Sequence, residues 1–361
     1  MNYLPVEVGL QEVFRQHMAL SAVQSGRIAE LCTAVLLAGE VRLSRLAQFL
    51  GRKSQEDSRI RWISRLLEAD FLTQEYAYHS ILKYALESFH SSCWHLIIDR
   101  TTLNGNKKDV ATITLHYHKR AIPLVWCFVP FGGVKASTYI DLIQHCVPLI
   151  PNGVSVVFHG DAEFGAVEIM RTLRHLGWDF MLGQRNHKHF WQPGADCSQA
   201  LASLQVQCGE TYQLANIELG KEQRLSALNL IAFRSICHSG GQRRRKIAYV
   251  VTSLPLKRGL KRLGRRRWGT EPFYRDYKSS GWHINDIGLQ CIQRLEGLFV
   301  ILALTYLWAV CLGRWLCKTG QRRRIDAKRR RHLSLFRIGL GWLVHCLRTR
   351  QRSPAIIRLY S

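Results

Sequence analysis

Trp94-His-Leu-Ile-Ile-Asp99-Arg-Thr101 is an apolar, strand-like run that closes on a carboxylate, and residues 154–165, Val-Ser-Val-Val-Phe-His-Gly-Asp161-Ala-Glu-Phe-Gly, repeat the device. Buried strands with an acid at the C-terminal edge place that acid at the mouth of a sheet, where it meets solvent and substrate. Between them, residues 111–117 and 122–129 read as antiparallel strands parted by Lys119-Arg120. Residues 138–150 read as a helix with Ile140, Ile143, Val147 and Ile150 on one side, bent or ended by Pro148. After Asp161 come a helix over 166–176, closed by Gly177, and a short strand over 179–183. The order predicts a mixed α/β fold with one acid on the first strand and another on the fourth.

A third acid stands far downstream in Trp268-Gly-Thr-Glu271-Pro-Phe-Tyr-Arg-Asp-Tyr-Lys278. On a continuous helix Arg267, Glu271 and Lys278 share one face, with cations bracketing the acid. The bland alternative is a solvated helix whose cations merely pair with Glu271. Pro272 disfavours α geometry at Glu271 and fits a first-turn position, which favours a helix that starts here over one that passes through. Mg²⁺ prefers octahedral oxygen ligands and keeps several waters, so a few converging carboxylates plus substrate phosphates hold it. Two such ions about 3.5–4 Å apart activate an attacking oxygen and stabilise a leaving one.

Charge narrows the substrate class. Fifty-one Lys and Arg against 26 Asp and Glu give a formal charge of +25, which attracts polyanions. Residues 257–267 hold seven cations in eleven positions and lead into Glu271, which marks Lys261, Arg262, Arg265, Arg266 and Arg267 as candidate phosphate contacts. Gln242-Arg-Arg-Arg-Lys246, Arg322-Arg-Arg324 and Lys328-Arg-Arg-Arg331 form further clusters, readable either as solvated faces or as DNA contacts.

Asp99 in IIDRT, Asp161 in GDAEFG, and Arg267, Glu271 and Lys278 in RRRWGTEPFYRDYKSSG resemble, in order and interval, the cut-and-paste DDE transposases of bacterial insertion sequences, in the subgroup marked by Tyr, Arg, Glu and Lys; the similarity runs from about residue 30 to about residue 310. One position departs, because Gly264 stands where the signature Tyr falls. In the family that Tyr helps to hold a phosphate, so the contact is lost here or supplied by a residue such as Arg265 or Arg266. The resemblance implies an RNase H-like catalytic core in which Asp99, Asp161 and Glu271 bind two Mg²⁺ ions, with Mn²⁺ able to substitute. It implies a β-rich insertion before the helix of Glu271, and strand-like runs at 211–219, 225–233 and 247–254 agree. In relatives an aromatic residue of this insertion stacks on a flipped base; Trp191 and Trp268 are the candidates here, with core packing as the competing role. Double-stranded DNA is the implied partner, with a homodimer assembled on paired ends through the C-terminal region, and no small-molecule substrate.

The expected layout is a helical DNA-binding domain over residues 1–90, an RNase H-like core over 91–310 with its insertion at about 188–256, and a helical, basic C-terminal region over 311–361. In the first, residues 20–38, 43–51 and 58–69 read as helices, the last two as a helix-turn-helix-like pair with Arg59, Arg61 and Arg65 outward, a pattern shared with plain helical bundles. The run LFVILALTYLWAVCLG at 298–313 is shorter than the roughly 20 residues of a membrane span and is flanked by Glu296 and Arg314, so it reads as a buried helix. Residues 1–20 carry charges and lack a continuous apolar core, which reads as no secretory signal and a cytoplasmic protein. The 11 cysteines occur without a C-x-x-C pair, which reads as neither a zinc site nor a disulfide framework. The strand-spaced pairs His116/His118 and His187/His189 read as surface or phosphate contacts. Rival readings are an RNase H-fold nuclease that does not join strands, a transposase-derived DNA-binding protein without catalysis, and a membrane protein.

Overall fold

The structure is a computed structural model that describes residues 5–103, 108–239, 242–278, 281–327 and 331–360. Five helices come first: α1 (Pro5–His17), α2 (Ala22–Ala38), α3 (Leu43–Gln48), α4 (Glu56–Leu67) and, after a π turn at Gln74–Tyr78, α5 (His79–Leu86). Ser21 starts α2 with a capping box shared with Gln24, and Gly39 ends it in the left-handed conformation. α3 and α4 pack together, but residues 49–55 join them, more than the about three or four residues of a compact helix-turn-helix. Arg59 donates to the carbonyls of Arg52 and Ser54 and so holds this connection, leaving Arg61 and Arg65 as the exposed arginines of α4.

The hairpin and the α/β order expected from the sequence are present: β1 (Cys93–Leu103), β2 (Lys108–Tyr117), β3 (Arg120–Val129), α6 (Ala136–Cys146), β4 (Ser155–Gly160), α7 (Val167–His175) and β5 (Asp179–Gln184). Pro148 falls in a 3-10 turn that follows α6. Next come β6 (His189–Trp191), β7 (Gln199–Ala200), β8 (Thr211–Leu219), β9 (Leu225–Ser239) and β10 (Gln242–Thr252). The sheet runs β3-β2-β1-β4-β5-β10-β9-β8-β6-β7, with β1, β4 and β5 parallel and the other neighbours antiparallel. The later strands thus extend the first sheet through the β5–β10 pair. The basic run at 242–246, outside the strand-like runs read from the sequence, is strand, paired with residues 235–239 of β9. The 328–330 part of the last basic cluster lies outside the described residues.

β3 lies at one end of the sheet, and side chains of the preceding helical segment satisfy its outward backbone groups. Gln74 donates to the Trp126 carbonyl and accepts from its N–H, both at 2.9 Å, and Tyr78 donates to the Pro123 carbonyl at 2.5 Å. Such capping closes an edge that would otherwise pair with another chain.

The chain ends with α8 (Leu260–Gly264), a 3-10 turn (Arg265–Gly269), α9 (Thr270–Tyr277), α10 (Ile292–Lys318) and α11 (Leu335–Thr349). Among the described residues α10 is the one helix long and apolar enough to cross a membrane, and 94% of its apolar window is buried inside the fold. It packs against α2, α4, α11 and β3, so its apolar surface is spent within the chain. It also runs unbroken across residue 310. The tail folds back after α11: Leu359 donates its N–H to the Ala85 carbonyl, the Tyr117 hydroxyl donates to the Tyr360 carbonyl, and Ile357 and Leu359 are fully buried. Leu359→Ala should therefore destabilise the chain by about 2–5 kcal/mol in denaturant unfolding; a cost within about 0.5 kcal/mol, normal for a surface position, would mean that the tail is not docked.

Candidate active site

The parallel pair β1–β4 sets the site. Ile97 is opposite His159, so Asp99 and Asp161 each stand two residues further along neighbouring strands that lie about 4.8 Å apart. β1 does not end on its acid but continues to Leu103, because β2 keeps pairing with it after β4 has stopped. Asp161 opens a tight loop in which the Glu163 N–H donates to its Oδ1 at 2.8 Å. This loop crosses the end of β5 so closely that a Cβ on Gly183 would lie 2.7 Å from the Ala162 nitrogen.

Asp99 is held from three sides. Its Oδ1 accepts the Arg100 N–H at 2.9 Å, its Oδ2 accepts the Thr270 hydroxyl at 2.6 Å, and its carbonyl accepts the Tyr274 hydroxyl at 3.0 Å. Lys278 follows on the same line, donating to the Thr101 hydroxyl at 2.6 Å. Arg267, Thr270, Tyr274 and Lys278 therefore form the stripe that lies along β1, with Arg267 close enough to act on the Asp99 charge. Glu271 is one residue, about 100° of helix rotation, away from Thr270, and it is solvent-exposed. Among the described residues no three His, Cys, Asp or Glu side chains converge to hold a metal. The structure brings Asp99 and Asp161 together but leaves Glu271 at the rim. The helix does not pass through this region unbroken: a 3-10 turn precedes α9, and Pro272, in its first turn, has no N–H to offer Trp268.

The 3-10 turn sorts the basic run by its three-residue period, which aligns positions i and i+3. Arg265 and Trp268 line a cleft of about 460 Å³ beside Asp161, whose wall includes Phe233, Arg234 and Tyr249. Lys261 lines it too, its ammonium 4.6 Å from the Phe233 ring centre. Arg266 and Gly269 sit over the histidines instead: a Cβ on Gly269 would lie 3.0 Å from His116, and the Arg266 charge acts on His95, His116 and His159. Arg267 and Thr270 serve Asp99, and Arg267 lines the cleft as well. Arg262 is exposed and outside the cleft wall.

Trp268 is 42% exposed and is not a core residue. Trp191 is elsewhere, its ring covered by the Arg224 guanidinium at 3.6 Å and its Nε1 donating to the Gly220 carbonyl. His116 is half-buried rather than a surface contact, beside the His95–His159 pair, whose ring nitrogens are 3.0 Å apart. Burial, and then neighbouring cations and rings, lowers these imidazoles to about 4 for His95 and about 3 for His159, so both are neutral at pH 7. Gly264, at the missing-tyrosine position, also lines the cleft with ordinary helical φ, and a Cβ there would meet only the mobile end of Met181, at 3.3 Å.

Thr270 and Tyr274 carry no sequence signal except their offset of three and seven residues from Arg267. As a donor set the Asp pair offers hard oxygen ligands without a thiolate, which suits Mg²⁺ or Mn²⁺. Burial, reinforced by the Asp161 charge, raises the Asp99 carboxyl from 3.8 to about 6, and the Thr270 and Arg100 donors and the Arg267 charge offset this only in part. The folded state thus binds more protons than the unfolded chain between about pH 4 and 6, and stability falls as pH rises through that window. At pH 8 the cost is about 3 kcal/mol as an order of magnitude. Asp99→Asn should accordingly stabilise the metal-free chain at pH 8, with the gain fading towards pH 4, in denaturant unfolding at both pH values; an asparagine variant that is less stable at pH 8 would contradict this.

A sequence model of the transposase DDE domain matches residues 91–308. No curated protein matches the chain. Among solved structures, a cryo-EM structure of the piggyBac transposase synaptic complex with hairpin DNA aligns at 10% identity over 98% of this chain and 83% of that one, with a TM-score of 0.48. At that level nothing further is drawn from the likeness. The domain match spans more than half of the chain, including Asp99, Asp161 and Glu271, and on it the chain belongs to the DDE-domain transposases.

Proposed function

We propose that this chain cuts an insertion sequence at its terminal inverted repeats and joins the freed 3′-OH ends to target DNA by divalent-metal-dependent phosphoryl transfer. The observation that supports this most is the Asp99–Asp161 pair side by side on β1 and just past the end of β4, flanked by the Arg267–Lys278 stripe and by the basic, aromatic-walled cleft. In this reading β1–β5 with α6 and α7 are an RNase H-like core, β6–β10 its insertion, the N-terminal helices read the element ends, and a homodimer forms on DNA in the cytoplasm, as in the Tyr/Arg/Glu/Lys subgroup of bacterial elements.

Asp99, Asp161 and Glu271 would hold Mg²⁺ or Mn²⁺, which when bound activates the attacking oxygen and stabilises the leaving one in an in-line displacement. Thr270 and the Arg100 N–H orient the Asp99 carboxylate, and the Glu163 N–H orients that of Asp161. Arg267 and Lys278 position the phosphate, Lys261 and Arg265 guide the strand through the cleft, and Trp268 offers a ring to an unstacked base. For Glu271 to join the pair, the first turn of α9 must rotate, a step the reading assigns to DNA binding.

A second reading, a DNA-binding protein without catalysis, is favoured by Gly264 and by the exposed Glu271. Cleavage of DNA carrying the element ends, with Mg²⁺ or Mn²⁺, separates the two. Unaltered protein should cut at discrete ends, and Asp161→Ala and Glu271→Ala should each lower the rate by at least about a hundredfold. Binding without cleavage by the unaltered chain supports the second reading, and cleavage unchanged in both variants defeats the acid assignments.

A further inference from the structure

The residues that follow each aspartate are joined to one another. Arg100 comes directly after Asp99, and Glu163 two residues after Asp161. The Arg100 Nε lies 3.0 Å from the Glu163 Oε1. The main-chain N–H groups of the same two residues are the donors to Asp99 Oδ1 and Asp161 Oδ1. A continuous chain of contacts results: carboxylate, main-chain donor, side-chain ion pair, main-chain donor, second carboxylate.

We infer that the Arg100–Glu163 ion pair sets the spacing of the two aspartate carboxylates, making these two side chains positioning residues for the metal site; the inference rests on the metal-binding reading above.

The pair is itself held. Arg100 Nη1 donates to the Gly132 carbonyl at 2.6 Å and lies 3.5 Å from the Asp109 Oδ2, and the Tyr139 hydroxyl donates to the same Glu163 oxygen that meets Arg100. By strand register Arg100 and Asp109 stand on the sheet face opposite to Asp99, so the clamp works from behind the carboxylates. A guanidinium fixed by a carbonyl and two carboxylates has one orientation, and its fork geometry transmits that orientation to the Asp161 loop. Outer-shell partners of metal ligands change metal affinity when removed, while leaving the ligands in place.

The test is Mn²⁺ titration of the full chain by calorimetry, with unfolding midpoints measured alongside. Glu163→Gln keeps the main-chain donor and the side-chain shape but removes the charge, and should weaken Mn²⁺ binding about 10- to 100-fold. Arg100→Lys keeps the cation and its main-chain donor but loses the fork, and should weaken binding in the same direction. The double variant should be no weaker than the worse single one, since one link is broken either way. Glu30→Gln, which breaks the remote Arg52–Glu30 pair (2.7 Å), should change stability but not Mn²⁺ affinity. Unaltered chain that binds Mn²⁺ while folded Glu163→Gln and Arg100→Lys bind equally well overturns the positioning role alone. Unaltered chain that takes up no Mn²⁺, either alone or with a DNA duplex bound, overturns the metal-binding reading and the positioning role with it.

Discussion

The Thr270 hydroxyl bonded to Asp99 at 2.6 Å fixes how the segment from Arg265 to Lys278 lies along β1, and most of the site follows from that seating. A 3-10 turn that gives way to an α-helix at Thr270 presents Arg267, Thr270, Tyr274 and Lys278 to the strand. The same turn points Arg265 and Trp268 into the cleft and lays Arg266 over neutral histidines. The three-residue period of the backbone thereby spreads one basic run over the cleft, the histidines and Asp99, with Arg267 serving both the cleft and Asp99. The seating also leaves Glu271 facing water, so the third acid stands apart from the other two until the helix turns.

This arrangement is costly in the metal-free chain. Asp99 is half-buried next to another carboxylate, and loss of water around it is the main cause of its raised pKa. Such strain is common at sites that await a cation or a substrate phosphate. It is tolerated because the surroundings are over-determined. A continuous apolar core runs from α1 to the C-terminal tail with α10 at its centre, and side chains from the helical region close the open edge of β3.

Much of the fold was legible because strand and helix periods survive in the sequence. The hairpin before α6, the strand that carries Asp99, the strand that ends just before Asp161, and β8 lie where alternation and turn residues put them. The basic stretch at 242–246 fell outside the strand-like runs because Lys and Arg break the apolar alternation, although pairing with β9 overrides local propensity. α1 carries too mixed a pattern to stand out. In the site, Asp99, Asp161, Arg267 and Lys278 are legible from strand ends and from spacing. Thr270, Tyr274 and the Arg100–Glu163 link are not, since they depend on which way a 3-10 turn and a sheet register carry residues distant in sequence. Sequence spacing also placed Glu271 on the face of Arg267 and Lys278, which holds for an unbroken helix and fails once the 3-10 turn shifts the phase.

The most direct test is a structure of the chain with Mn²⁺ and a DNA end, recorded at the manganese absorption edge. Anomalous density between the Asp99 and Asp161 carboxylates, with Glu271 swung in to within coordination distance, is the expected result. Manganese bound elsewhere, or Asp99 and Asp161 still paired only with Thr270 and main-chain donors while DNA is in place, would contradict the account.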